Sequence, residues 1–298
     1  MPLAWRLSAA QWDVLTEVLG LERYPSPIQV HSHGRTRVER ARVRADVCVE
    51  LAELGLLRAG RVDADLETAL RLLHWPATWV DSVWLADAVA DQPVRVVAAR
   101  GGSAGVCALQ RPDQPGATLL TVIPATGLAA AVTSRLPSHP PGRSTAVTVT
   151  PQPGAGQPGA RQPGVRQFGA RQDGVRQDGV RQPGARQFGA PQPATAQPGG
   201  GLLVSASPVR SSAERDNTAA AAILDKPHAR AGQIAANTRD PSGQVRRSDI
   251  LRWCDNVDGR YQVTVNRRSG EPMSLTVGPS DPQRLGEGVQ RLLAALQP

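Results

Sequence analysis

Along the first part of the chain the apolar positions recur at helical spacing. Trp12, Leu15, Val18 and Leu19 share one face of a segment that Ser8 can cap and Gly20 can end. Thr36 and Glu39 form a T-x-x-E capping box, and Val43, Val47, Leu51 and Leu54 follow at helical spacing until Gly55. Asp63 opens a third helix with Leu66, Leu70 and Leu73 inward, which Trp75-Pro76 ends. Between the first two lies a short extended segment, Ser26 to Val30. From Thr78 the period falls to two, which predicts strands over Val80 to Leu85, Val94 to Ala98, Gly105 to Leu109 and Thr118 to Ile123, then a short helix over Leu128 to Leu136. Ala219 to Leu224 reads as a further helix. After it Tyr261, Val263 and Val265 alternate with polar residues, as do Met273, Leu275 and Val277, with turns at Asp240-Pro241-Ser242-Gly243, Asp258-Gly259 and Ser269-Gly270. Asp281 and Pro282 then start a closing helix whose Leu285, Val289, Leu292, Leu293 and Leu296 share a face. Helices before strands, then strands before a helix, predict an α+β fold around a mainly antiparallel sheet.

One stretch breaks the pattern. Residues 152–201 repeat the pentapeptide Q-x-G-x-R, a period too short for a helix-pair solenoid and with glycine too sparse for collagen. Such a composition cannot bury enough apolar surface to offset its ordering entropy, so it is expected to be disordered. Both phenylalanines, Phe168 and Phe188, fall in it, which leaves Leu, Val and Trp to build the core.

The formal net charge is +8 and the pI near 10.7, values that raise nucleic acid or an anionic membrane as partners. The repeat alone contributes six Arg against two Asp, however, so the remainder is only mildly basic. Cys48, Cys107 and Cys254 are odd in number and lack CxxC spacing, which suits free thiols in a reducing cytosol. No apolar run approaches the ~20 residues that span a bilayer, and the N-terminus carries no secretory signal pattern, so the expected location is cytoplasmic.

Candidate chemistry is thin. His31-x-His33 would align two imidazoles on a strand, but no Cys or third His is near, so it reads as a pair without metal. Asp255 to Gly259 resembles half a calcium loop without its distal Glu and is expected to be a hairpin turn. Gly101 to Gly105 lacks the Lys-Ser/Thr of a phosphate loop and joins two strands. No G-x-S-x-G elbow is present, and Cys48 lies beside an apolar helix stripe. Arg35, Arg37, Arg40, Arg42 and Arg44 read as a solvated helix face. No catalytic residue, cofactor or metal is expected.

Several blocks carry a family resemblance. Gly232-Gln233-Ile234, Arg246 to Trp253, Asp258-Gly259-Arg260-Tyr261 and Pro279 to Leu285 resemble the C-terminal half of the EspG family of actinobacteria. Leu7-Ser8-Ala9, His33-Gly34-Arg35-Thr36, Glu39-Arg40-Ala41, Leu54-Gly55-Leu56 and Asp63 to Leu73 agree with its N-terminal half. The resemblance implies a cytosolic chaperone of type VII (ESX) secretion that binds a helical PE-PPE or WXG-like substrate and keeps it soluble. It also implies pseudo-two-fold halves with flanking helical bundles, here 1–150 and 205–298, separated by the insert 151–204. The expected partner-binding residues are Gln233, Asn237 and Arg239 on the polar side of one strand, with Arg284 and Gln290 on the closing helix. Two other classes stand beside this reading: a nucleic-acid-binding protein that uses the repeat arginines, and a small hydrolase.

Overall fold

Local capping fixes most helix starts. In a computed structural model of the chain, which describes residues 3–22, 24–150, 211–267 and 270–297, strand β1 (Ala4–Ser8) runs directly into helix α1 (Ala9–Val18). Ser8 Oγ accepts the Gln11 N–H at 3.1 Å while Gln11 Oε1 accepts the Ser8 N–H at 2.9 Å. The expected Thr36–Glu39 box starts α2 (Arg37–Glu53), and Asp63 caps α3 (Ala64–His74) through the Leu66 N–H. A two-strand hairpin, β2 (Leu57–Arg58) and β3 (Arg61–Val62), joins these two helices. The repeat, and with it the expected disorder of 151–204, lies outside the described residues.

Next come β4 (Thr78–Leu85), β5 (Val94–Gly101), β6 (Ala104–Gln110), β7 (Ala117–Pro124), α4 (Leu128–Thr133) and β8 (Val147–Val149). Beyond the repeat lie α5 (Ser212–Leu224), β9 (His228–Arg239), β10 (Val245–Arg247), β11 (Leu251–Asn256), β12 (Gly259–Asn266), β13 (Ser274–Pro279) and α6 (Pro282–Ala294). All strands except β2 and β3 make one sheet in the order β1-β7-β6-β5-β4-β9-β11-β12-β13-β8, with β10 beside β9 and every ladder antiparallel. The β4–β9 ladder, from Thr78↔Thr238 to Leu85↔Ala231, joins the part before the repeat to the part after it. The described residues on either side of the repeat belong to one compact unit.

Strand alternation divides the buried residues between two faces. On one face α1, α2 and α3 pack Trp12, Leu15, Leu51, Leu66 and Leu70 onto Val97, Val106, Ala108 and Leu120. On the other, α4 and α6 bring Leu128, Val132, Leu285, Val289 and Leu293 against Val80, Val96, Ile234, Ala236 and Trp253. Gly232 faces α6 because nothing larger fits: a Cβ there would lie 2.5 Å from Trp84 Cβ and 2.8 Å from the Trp253 indole nitrogen. Helix α5 closes a smaller cluster, Ala220 and Ile223 on Cys254, Tyr261 and Val277. On the other face of these strands Arg260 is fully buried, bound to Asp255 at 2.7 and 2.9 Å and to the Pro137 carbonyl at 2.7 Å, with its guanidinium over the Trp253 ring.

Some elements differ from the sequence reading. Strand β1, the β2–β3 hairpin and β8 have two to five residues each, too few to display a period. Ser26 to Val30 is a loop, held to β6 by reciprocal Gln29–Gln110 bonds instead of a ladder. Helix α5 begins at Ser212 rather than Ala219, because Ser211 and Glu214 form a capping box upstream. Leu292 is only partly buried, whereas the other four positions of the expected α6 stripe are buried.

Candidate partner-binding face

Strand β9 is the middle of the sheet, and its two side-chain sets have different fates. Ile234 and Ala236 lie under α6, so Gln233, Ala235, Asn237 and Arg239 face the opposite side, the side of α1 to α3. Opposite them in register stand Val83 across from Gln233, Asp81 across from Ala235 and Trp79 across from Asn237. The row through Gln233 continues to Arg95 on β5 and Arg252 on β11.

A buried polar network holds this face. Asn237 is 2% exposed, and its Nδ2 donates to Asp81 Oδ2 at 2.8 Å. Arg247, from β10, donates to both Asp81 oxygens and to Asn237 Oδ1 at 3.0 Å. Asn237 is therefore a support inside the face and not a residue free to touch a partner. Arg239 behaves differently. Its guanidinium lies 4.0 Å from the Trp75 ring centre and 5.7 Å from that of Trp79, a cation–π stack whose outer ring, Trp75, is 67% exposed. The turn after β9 supports the stack. Asp240 Oδ1 accepts the Gln244 N–H, and the Ser242 hydroxyl donates to the same oxygen, which holds the Asp240 carboxyl below its usual range. That turn places Gly243, at φ +87°, beside Trp75: a Cβ built there would lie 3.8 Å from the indole ring.

Gln233 and Arg239 thus share this face, partly buried, while Arg284 and Gln290 lie exposed on α6 behind the sheet. Arg284 donates to the Pro279 carbonyl at 3.0 Å and lines a shallow depression with Thr145, Gln262 and Thr276. The five expected residues do not make one patch. The sequence reading missed Trp75, Trp79, Asp81, Arg95, Arg247 and Arg252. Asp81, a carboxylate inside the apolar strand TWVDSVWL, was the available signal.

The other candidates have structural roles. Asp13 accepts from Tyr24, from the His33 N–H and from Arg40, and Arg40 also binds Glu17. Burial alone would push the Asp13 carboxyl up, but these donors outweigh it and hold it below its usual value. Burial raises the thiols of Cys107 and Cys254, to about 11 and about 12, so neither is a thiolate nucleophile at neutral pH. Gly101 to Gly105 and Asp255 to Gly259 are hairpin turns, and no group of three or more metal-ligating side chains occurs among the described residues.

The EspG family's sequence profile matches residues 8–291. The fold resembles the solved structure of the Mycobacterium tuberculosis type VII secretion system chaperone EspG5 in complex with a PE25-PPE41 dimer, with a TM-score of 0.63 at 14% identity over 99% of this chain and 97% of that chain. At that identity the likeness is one of fold. No curated protein matches the sequence significantly.

Proposed function

The chain belongs to the EspG family, and from that premise we propose that it is a type VII secretion chaperone that binds a helical PE-PPE-like heterodimer and keeps it soluble for export. The observation that carries the reading is the extent of the family match, which runs from α1 into α6 and so through both flanks of the repeat. The EspG5 fold, solved with a PE25-PPE41 dimer bound, supports the same class of partner. The protein would act by binding and not by chemistry: its partner's apolar surface is withdrawn from water and released intact. The raised thiols agree with that. No described helix is long and apolar enough to cross a membrane, and we place the protein in the cytoplasm with its substrate.

The docking face in this proposal is the Trp75–Arg239 stack with Gln233 beside it. An exposed Trp on an Arg is the composition that dominates binding energy at interfaces, while Asn237 and Asp81 keep the strands beneath in place. Arg284 and Gln290 would serve a second contact behind the sheet. Residues 1–150 and 205–298 act as the two halves of one body, with 151–204 as an insertion between them. Co-expression with the type VII substrates of the source organism should give a stoichiometric complex on size exclusion. Trp75→Ala should weaken it without changing the melting temperature, and Arg284→Ala measures the second contact. Failure of every such substrate to co-elute would end the chaperone reading.

A further inference from the structure

Four arginines, one each from β5, β9, β10 and β11, lie on the side of the sheet that Gln233 faces. Arg95 and Arg252 flank Val83 and Gln233 in one cross-strand row, and Arg239 and Arg247 sit further along the same side. Asp81 is the carboxylate among them, and Arg247 already occupies both its oxygens. The remaining three guanidinium groups are poorly served. Arg95 is half-buried and donates to one acceptor, the Pro93 carbonyl, at 3.3 Å. Arg239 makes one long bond, 3.4 Å to the Gly243 carbonyl, and its Nε is buried without an acceptor. Arg252 is exposed and faces no acid among the described residues. Partly buried cations left short of acceptors, as Arg95 and Arg239 are, are costly, and an incoming anion relieves that cost; Arg252, in water, adds only attraction.

We infer that the segment of the partner that seats here is an acidic amphipathic helix, its apolar stripe on Val83 and the Trp75–Arg239 stack and its carboxylates against Arg95 and Arg252. This deepens the chaperone reading and rests on it. The dimensions agree. Arg95 and Arg252 are three strands apart, about 14 Å at ~4.8 Å per strand spacing, and a helix with its side chains is about 10–12 Å across. A helix laid along the strands therefore brings its two flanks within reach of one arginine each. Uncharged Val83 and Gln233 between the two arginines, and the Trp75–Arg239 stack further along, interrupt the continuous basic track that a nucleic-acid backbone would want, which favours a helix.

The test uses the full chain and a co-purified substrate heterodimer, with affinity measured from low to high salt. The dissociation constant should rise steeply with salt. Arg252→Glu, at an exposed position, should weaken binding at low salt by about tenfold or more, Arg252→Lys by much less, and reversal of the facing substrate acid should restore the Glu variant. A complex that forms but is indifferent both to salt and to Arg252→Glu would overturn this inference and leave the chaperone reading standing. Absence of any complex would overturn both. Binding of duplex DNA or single-stranded RNA that Arg252→Glu abolishes, with substrate affinity unchanged by that variant, would also overturn it.

Discussion

Arg247 reaches over strand β9 to grip Asp81 with both arms, Nη1 at 2.7 Å from one carboxylate oxygen and Nη2 at 3.0 Å from the other, across 166 residues of sequence. Bidentate geometry of this kind fixes orientation as well as distance. Because Asn237 donates to the same carboxylate from the strand between them, β4, β9 and β10 are tied by one acid. The part of the chain before the repeat and the part after it meet at this point.

Asp81→Ala should therefore lower the free energy of unfolding by ~1–3 kcal/mol, since it leaves Asn237 buried without its acceptor and Arg247 without its partner. Arg247→Ala should cost less, because that side chain is 46% exposed and solvent screens its share. Denaturant midpoints of the two variants and their double decide it. A double variant equal to the sum of the singles would mean that the pair is not coupled.

The long elements were legible because each agreed with its local signals. Thr36 and Glu39 announced α2, and Asp281-Pro282 announced α6, through residues within one turn of the helix start. The face proposed for docking was not legible in the same way. Trp75 read only as a helix terminator, and Arg239 as one polar residue on a strand. Their stack depends on the β4–β9 ladder, a pairing between residues some 150 positions apart that no local period encodes. For the same reason Gln233 and Arg284 were grouped together. Both are polar, but whether two polar residues share a surface depends on which side of the sheet α6 covers, and that is a tertiary choice.

In α6 the buried stripe predicts unequal costs. Leu285 is 0% exposed against Ile234, Trp253 and their neighbours, so Leu285→Ala should destabilise by ~2–5 kcal/mol. Leu292, at the margin of that cluster, should lose clearly less when truncated. A chemical denaturation series that ranked Leu292→Ala as the worse of the two would contradict the docking of this helix.

Stability should fall on mild acidification, and His74 is a main reason. Burial holds its imidazole below the ordinary value of 6.5 despite the bond between Nδ1 and the Leu70 carbonyl at 2.7 Å. Above that value both folded and unfolded chains carry the ring neutral and its contribution is intact. As pH drops, the unfolded chain takes a proton first, so stability is lost towards and through the lower folded value. His228, also held down by burial, adds to the slope. His74→Phe keeps the ring between Trp12 and Tyr24 and removes the titration, so its denaturant midpoint should change less between about pH 7.5 and about pH 5.5 than the parent's. Identical slopes would assign the effect elsewhere.

Replacement of residues 152–204 by a short Gly/Ser linker should leave the melting temperature nearly unchanged. The chain leaves the sheet at β8 and returns through α5, and Val149 of the one packs in the same apolar cluster as Ala220 and Ile223 of the other. The two ends are thus held by contacts that do not involve the replaced segment, and the shorter loop closes at little entropic cost. A large drop in melting temperature would show that the segment packs on the sheet.

The buried pair of Asp255 and Arg260 should be the most sensitive polar site in the protein. Both side chains are 0% exposed, and Arg260 has no other carboxylate among its bonds, only the Pro137 carbonyl and the face of Trp253. Asp255→Ala would strand that guanidinium, and Arg230, whose Nη1 lies 3.4 Å from the same carboxylate, would lose its acid as well. Removing one member of a fully buried pair typically costs ~3–5 kcal/mol, a large share of the ~5–15 kcal/mol that holds a domain together. The double change Asp255→Leu with Arg260→Met removes both charges and should recover much of the loss. Urea unfolding of the single and double variants separates the two cases: recovery assigns the cost to the stranded charge, and a double variant no better than Asp255→Ala would assign it to lost packing around Tyr261 and Trp253.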